Sequence, residues 1–417
     1  MPQEISASAI TSADIKRGFY ERTILDIFSE MNKGRMEISL PNGEQIIIGN
    51  SEGHVNATIT IHNKNFFKRC VLFGDIGFGE AYTDCDWDTP NITNVIKWFL
   101  LNIDNAPAVS GSKLKSLGLN LLKFINTFSH QKNSNTERGS KKNIAAHYDL
   151  NNEFFSLFLD PTMTYSAAYF YEEGMSLQLA QEAKYERLCR QLHLQPADHV
   201  LEIGSGWGGN AIYMATKYCC HVTTLTISEE QFKMVNERIK AACLQDKVTV
   251  LLQDYRTMKG SFDKIVSVEM IEAVGHKFLK TYFQQCNDLL KRDGILAIQV
   301  ITCPDSRYQS LRNGVDWIQK HIFPGSLLPS VAAINKAVND AGELTLVDLK
   351  DMGLHYATTL AEWQNRFTEN VCHVRSLGFD ETFIRKWNYY LSYCEAAFAM
   401  RNINVMQMVY MRPNVMG

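Results

Sequence analysis

The chain has 417 residues, 45% of them hydrophobic, and a formal net charge of -3. Its length exceeds the usual reach of one core, so two domains are expected. The near-neutral charge argues against a nucleic-acid partner, and ten cysteines without a Cys-x-x-Cys pair read as reduced thiols of a cytosolic protein.

Met1 to Lys16 lacks the apolar stretch of a signal peptide. No segment reaches the roughly 18 uninterrupted apolar residues of a membrane span. A lipid substrate would therefore be met from the membrane surface. Met36 to Ile48 holds two β-prone runs around Pro41-Asn42-Gly43, a hairpin signal. Ala57 to Ile61 alternates like a half-buried strand, and Asn91 to Asn102 has helical apolar spacing. Leucines at 114, 117, 121 and 122, with Lys113, Lys115 and Lys123 among them, predict an amphipathic, membrane-facing helix over Lys113 to Phe128. These elements suggest a small α+β domain over 1–130. The polar run 131–143, QKNSNTERGSKKN, predicts a flexible linker.

From 144 to 417, strand and helix patterns alternate. Strands are predicted at His199 to Ile203, His221 to Ile227, Val248 to Gln253, Phe262 to Val268 and Gly294 to Ile301. Helices are predicted at Ala211 to Lys217 and Glu229 to Ala242. That order implies an α/β, Rossmann-like, doubly wound parallel sheet.

The first of these strands runs into Gly204-Ser205-Gly206-Trp207-Gly208-Gly209 and a helix follows. Glycines there permit a tight turn and close backbone approach to a ligand. A dinucleotide fits the glycine spacing. However, Glu202 lies two residues before the first glycine, where a carboxylate would repel a pyrophosphate. It would suit the ammonium and sulfonium of S-adenosylmethionine instead. The second strand ends Thr226-Ile227-Ser228, followed by Glu229, Glu230 and Gln231. Its hydroxyls and amide suit ribose or methionine groups, and Asp254-Tyr255 after the third strand suits adenine.

These residues, with Asn65 to Arg69, Gly77 to Tyr82, His147 to Leu150, Met163 to Ala168, Val268 to Gly275, Phe323 to Gly325, Leu328 to Ser330 and Asn388 to Arg401, resemble the cyclopropane-fatty-acyl-phospholipid synthase family. The resemblance implies a class I methyltransferase domain beside the N-terminal lipid-side domain. A helical lid is expected from about Asp305 to Phe367. The implied reaction is transfer of a methylene group from S-adenosylmethionine to the cis double bond of an unsaturated phospholipid acyl chain. The cofactor contacts would be Tyr165, Ser166, Gly204, Ser205, Gly206, Thr226, Ile227, Ser228, Glu229, Glu230, Gln231, Asp254 and Tyr255.

In that family the alkene attacks the sulfonium methyl, and a bound bicarbonate removes a proton so that the ring closes. By resemblance Ala167, Glu272, Gln299, Ile301 and Tyr356 would hold bicarbonate, with Glu272, Gln299 and Tyr356 catalytic. Ala167 stands where the bacterial pattern usually has Cys, and Gln299 where it often has His. Cys394 matches a family cysteine considered as a nucleophile, but electrophilic methyl transfer needs none, so a buried structural thiol is expected. Glu269, three residues before Glu272, would share its face on a helix and is read as a solvated acid. No His or Cys cluster has metal-ligand spacing, so no metal is expected. The implied partners are phospholipid and the inner face of the membrane, with a homodimer left open. Rival readings are a methyltransferase giving a methyl-branched lipid or an N-methylated amine, and a catalytically inactive lipid-binding protein.

Overall fold

At the predicted hairpin, β1 (Arg35–Ser39) and β2 (Gln45–Gly49) pair antiparallel with Ser39 opposite Gln45. Gly43 makes the turn at φ +86°, a left-handed conformation that costs glycine little. The computed structural model containing these strands describes residues 17–50, 55–103 and 151–415. The expected Lys113 to Phe128 helix, the linker 131–143 and the His147 to Leu150 segment lie outside them. β3 (Asn56–Ile61) runs parallel to β1, and β4 (Trp87–Asp88) completes the sheet in the order β2-β1-β3-β4. Three helices cover it: α1 (Phe19–Ser29), α2 (Asn65–Thr83) and α3 (Ile92–Leu101). The Asn91 side chain caps α3 by accepting from the Asn94 N–H at 2.8 Å. α2 breaks at Gly74 (φ 58°, ψ −129°). Within the described residues 17–50 and 55–103 this sheet and its helices form an α+β unit.

The second part opens with α4 (Asn152–Ser156) and α5 (Leu177–Gln191). Then β5 (His199–Ile203), α6 (Gly209–Tyr218), β6 (His221–Thr226), α7 (Glu229–Ala241), β7 (Val248–Leu252) and β8 (Phe262–Val268) alternate. α8 (Leu279–Leu289), β9 (Leu290–Thr302), α9 (Asp305–Arg312), α10 (Trp317–His321), α11 (Val331–Ala341) and β10 (Thr345–Asp351) follow. The chain ends through α12 (Gly353–Glu369), α13 (Val371–Ser376), α14 (Glu381–Ala399) and β11 (Asn404–Met411). The sheet order is β10-β11-β9-β8-β5-β6-β7, and β9, β8, β5, β6 and β7 are mutually parallel. β5 sits centrally, so the loop after it opens at the carboxyl edge, where open α/β sheets bind ligands.

Two expectations need correction. The sheet is not wholly parallel, because β11 runs antiparallel between β9 and β10. The stretch from Asp305 to Phe367 is not only helical, because β10 lies within it and joins the sheet edge.

α14 holds the two parts together. It packs on α2, α3 and α12. The Arg385 guanidinium donates to the Tyr82 and Trp87 carbonyls at 2.7 and 3.0 Å and pairs with Asp88 at 2.8 Å. Thr93 donates to Glu395 at 2.8 Å. One apolar cluster runs from Phe28, Phe66 and Trp98 through Phe154 and Phe158 to Trp363 and Trp387.

Candidate active site

β5 delivers the glycine loop. Gly204, Gly206 and Gly208 take φ values of +99°, +49° and +83°, which strain any residue with a Cβ. A Cβ on Gly206 would meet no protein atom within 4 Å, so this backbone faces open space. That space is one end of a cavity of about 1550 Å³. Its wall includes Tyr165, Ser166, Gly204, Ser205, Gly206, Thr226, Ile227, Gln231, Asp254 and Tyr255. These side chains are held in place. Thr226 donates to Gln231 Oε1 at 2.8 Å, and Asp254 accepts from Arg256 Nε and Nη2 at 2.9 and 2.6 Å. Lys184, buried, donates to the Ser166 hydroxyl at 2.6 Å. Tyr165 and Tyr390 share a hydroxyl hydrogen bond of 2.8 Å.

Glu202 also borders the cavity, but its oxygens accept from Asn210 Nδ2 at 2.8 Å and Thr224 Oγ1 at 2.5 Å. Burial pushes its carboxyl up to about 7. It thus anchors the loop to β6 as well as lending the cradle negative character. An open glycine backbone, the buried Glu202 carboxyl beside it, and hydroxyl and amide groups of Thr226 and Gln231 fit the ammonium, ribose and adenine of S-adenosylmethionine.

A second cluster lies deeper. Glu269 follows β8 with φ +49°, unusual for a residue with a side chain. Its Oε1 accepts from the Ala167 N–H at 2.9 Å and from Gln299 Nε2 at 2.8 Å, and its Oε2 from the Tyr356 hydroxyl at 2.9 Å. Its own N–H donates to the Gln299 carbonyl at 2.7 Å. Gln407 of β11 donates to Gln299 Oε1 at 2.9 Å, which turns the Gln299 amide nitrogen toward Glu269. Glu272, within a short 3-10 turn (Ile271–Ala273), accepts from the Ile301 N–H through Oε1. Its buried Oε2 has no partner. Burial and the neighbouring Glu269 raise Glu272 to about 8, whereas Glu269 is raised by burial but has three donors to hold its charge. One carboxylate of such a pair keeps the negative charge and the other the proton, and the donors select Glu269 as the anion. Glu269, Glu272, Ile301 and Tyr356 all border the cavity.

A sequence profile of the family described as "Mycolic acid cyclopropane synthetase" matches residues 135–408. The chain belongs to this family. It is 37% identical over 389 residues to the cyclopropane-fatty-acyl-phospholipid synthase of Escherichia coli K12, covering 90% of this chain and 96% of that one. It is 38% identical over 364 residues to the tuberculostearic acid methyltransferase UfaA1 of Mycobacterium tuberculosis, covering 85% and 83%. Among solved structures, the mycolic acid cyclopropane synthase CmaA1 in complex with SAH and CTAB superposes with a TM-score of 0.61 at 31% identity, over 65% of this chain and 98% of that one. The Rossmann-like part is therefore an S-adenosylmethionine-dependent methyltransferase fold.

The expected residues divide by whether they border the cavity. Ser228, Glu229 and Glu230 do not border the cavity. Ser228 caps α7 by accepting from the Gln231 N–H, and Glu229 and Glu230 are exposed in its first turn, Glu230 pairing with Lys233 at 2.9 Å. Cys394 borders the cavity, and burial pushes its thiol far up, which disfavours the thiolate a nucleophile would need. The reading of Glu269 as a solvated acid on a helix face is overturned. Residue 269 is left-handed and the turn beyond it is 3-10, so its carboxylate points inward. Gln407 was also missed, although a glutamine inside the run Asn404–Met411 was its visible signal. Among the described residues no group of His, Cys, Asp or Glu could hold a metal ion.

Proposed function

We propose that the chain transfers the methyl carbon of S-adenosylmethionine to the cis double bond of an unsaturated phospholipid acyl chain and closes a cyclopropane ring. One observation carries this reading. The cavity that begins at the glycine loop continues without a wall into an apolar chamber bordered by Phe19, Ile24, Phe28, Phe78 and Phe99 of the N-terminal unit. A chamber of that lining suits an acyl chain, and its junction with the cradle brings an alkene beside the donor. S-adenosylmethionine bound there supplies an electrophilic methyl group.

The chain's residues do the rest. Tyr356 offers a ring face to the positive charge that develops on the acyl chain. Trp363 and Phe398, with centroids 6.0 and 4.5 Å from its own, fix that ring. Phe28 and Phe78, both buried, line the chamber and would limit the water that could capture the cation. The names of the Escherichia coli relative and of the family support this product.

A second reading, plain methylation to a branched chain, is supported by the name of the tuberculostearic acid methyltransferase relative. Mass spectrometry of lipids from cells expressing the protein separates them. A ring adds CH₂ and removes the alkene; a methylene branch adds CH₂ and keeps one; a saturated branch adds a methyl group and a further hydrogen.

We propose further that the phospholipid is met at the cytoplasmic face of the membrane surface, a reading that the phospholipid named for the Escherichia coli relative supports. No helix among the described residues is long and apolar enough to cross a membrane. Co-sedimentation with anionic phospholipid vesicles tests this placement; protein that stays in the supernatant at low salt refutes it.

Bicarbonate fits less well than S-adenosylmethionine. The Ala167, Gln299 and Tyr356 donors converge on the Glu269 carboxylate, and the Ile301 N–H is taken by Glu272. The donors that would hold such an anion are thus already satisfied by the chain's own carboxyl groups.

A further inference from the structure

We propose that Glu269 is the proton acceptor of the reaction, a carboxylate built into the chain at the place where the resemblance puts bicarbonate. This rests on the function proposed above.

Three observations carry it independently of that resemblance. First, the Glu269 carboxylate collects three donors, Ala167 N–H, Gln299 Nε2 and Tyr356 Oη, at 2.8 to 2.9 Å. Donors that stabilise the charged form make a carboxylate available as a base in a dry cavity. Second, the residue keeps φ +49°, where glycine would sit without strain. Strained non-glycine backbone persists where surrounding structure enforces it. Here the enforcing contacts come from Gln299, which takes the Glu269 N–H on its carbonyl and meets the carboxylate with its amide. Third, Glu269 borders the same cavity as Tyr165, Gly204 and Tyr356, the cavity to which the cradle and the acyl chamber both belong. Glu202 braces the glycine loop against β6 through Asn210 and Thr224, and burial with the neighbouring Glu269 raises Glu272 to about 8, so Glu269 is the carboxyl group with the most donors to its charged form.

The step balances. Once the methyl carbon is attached to one alkene carbon, the neighbouring carbon is cationic. A Glu269 oxygen takes a proton from the attached methyl group. The C–H electron pair becomes the bond from that carbon to the cationic carbon, closing the ring. Glu269 is left as the neutral acid and returns its proton to solvent after product leaves.

The test uses the full chain, S-adenosylmethionine and vesicles of phospholipid with unsaturated acyl chains, in buffer stripped of dissolved CO₂ and in the same buffer with added bicarbonate. S-adenosylmethionine affinity is measured by calorimetry for every variant. The wild type should turn over at the same rate in both buffers. Glu269→Gln should lose about 10²- to 10⁴-fold in turnover, the usual worth of a placed base, with unchanged cofactor affinity. Glu269→Gly, whose backbone suits the site, should be as slow in stripped buffer and recover with bicarbonate or formate, which the three freed donors would hold.

A wild-type rate that collapses on stripping and returns with bicarbonate overturns the proposal, and that arm needs no variant. So does Glu269→Gly turning over at the wild-type rate in stripped buffer. A wild type that binds S-adenosylmethionine yet alkylates no lipid in either buffer instead overturns the function on which the proposal rests.

Discussion

Replacing Gly206 with alanine or valine separates what the glycine loop does for the fold from what it does for the ligand. A Cβ at 206 has no protein atom within 4 Å, whereas one at Gly204 meets Met270 Cγ at 3.3 Å. The cost of Gly206→Ala to the free protein is therefore conformational, about 1–2 kcal/mol for a left-handed residue. The added carbon enters the space the cofactor backbone contact would use. Forcing atoms into a filled site costs about 1–3 kcal/mol, which corresponds to roughly a 5- to 150-fold loss of affinity. Valine should exceed that. Calorimetric titration with S-adenosylmethionine reads the affinity, and thermal unfolding of the free protein reads the conformational cost. The reasoning fails if Gly206→Val binds with wild-type affinity, or if the free protein loses its fold and not merely a few degrees of stability.

Three further outcomes follow from the packing. Glu272 is raised from 4.5 in the unfolded chain to about 8 in the fold. Its stabilising contribution is therefore complete below about pH 4.5 and lost as pH rises through about 8. Glu272→Gln does not ionise, so its unfolding free energy relative to wild type should climb across that window and level off above it, by at most about 5 kcal/mol at about 1.4 per pKa unit. A difference independent of pH would contradict the burial of this acid. Gly79→Ala puts a Cβ 2.5 Å from Trp317 Cδ1 and 2.8 Å from Tyr389 Cε1, both rings being fully buried; overpacking should cost about 1–3 kcal/mol in urea titration. Gln407→Leu removes the donor to Gln299 Oε1, leaves a buried acceptor unpaired at about 1–3 kcal/mol, and should slow turnover about tenfold without changing cofactor affinity.

Much of this architecture is legible from local pattern. The strand before Gly204, the Thr226 to Ser228 strand end and the Pro41-Asn42-Gly43 hairpin are each set by neighbours in sequence, and the structure has them where the residues predict. What escapes the pattern depends on distant partners or on rare backbone. β11 pairs antiparallel with β9 across a gap of about a hundred residues, which a periodicity cannot express. Glu269 and Glu272 are spaced as on a helix, and nothing local announces that a glutamate will take a positive φ. That backbone choice depends on Gln299, thirty positions away. Reading the acid as solvent-exposed was therefore the natural mistake of a one-dimensional view.

α14 is numbered with the catalytic part but shared by both. Arg385, Tyr389 and Glu395 grip the N-terminal unit, while Tyr390 reaches Tyr165 beside the cofactor cradle. A chain cut so as to lack residues 1–103 would bare this helix and open the acyl chamber along the face that Phe28, Phe78 and Phe99 now close. The damage would reach beyond affinity. A cation generated in a flooded chamber is quenched by the nearest water, and the outcome is an alcohol in place of a ring. For an enzyme with the proposed ring-closing function, the small N-terminal unit thus helps choose the product by deciding which nucleophiles are admitted.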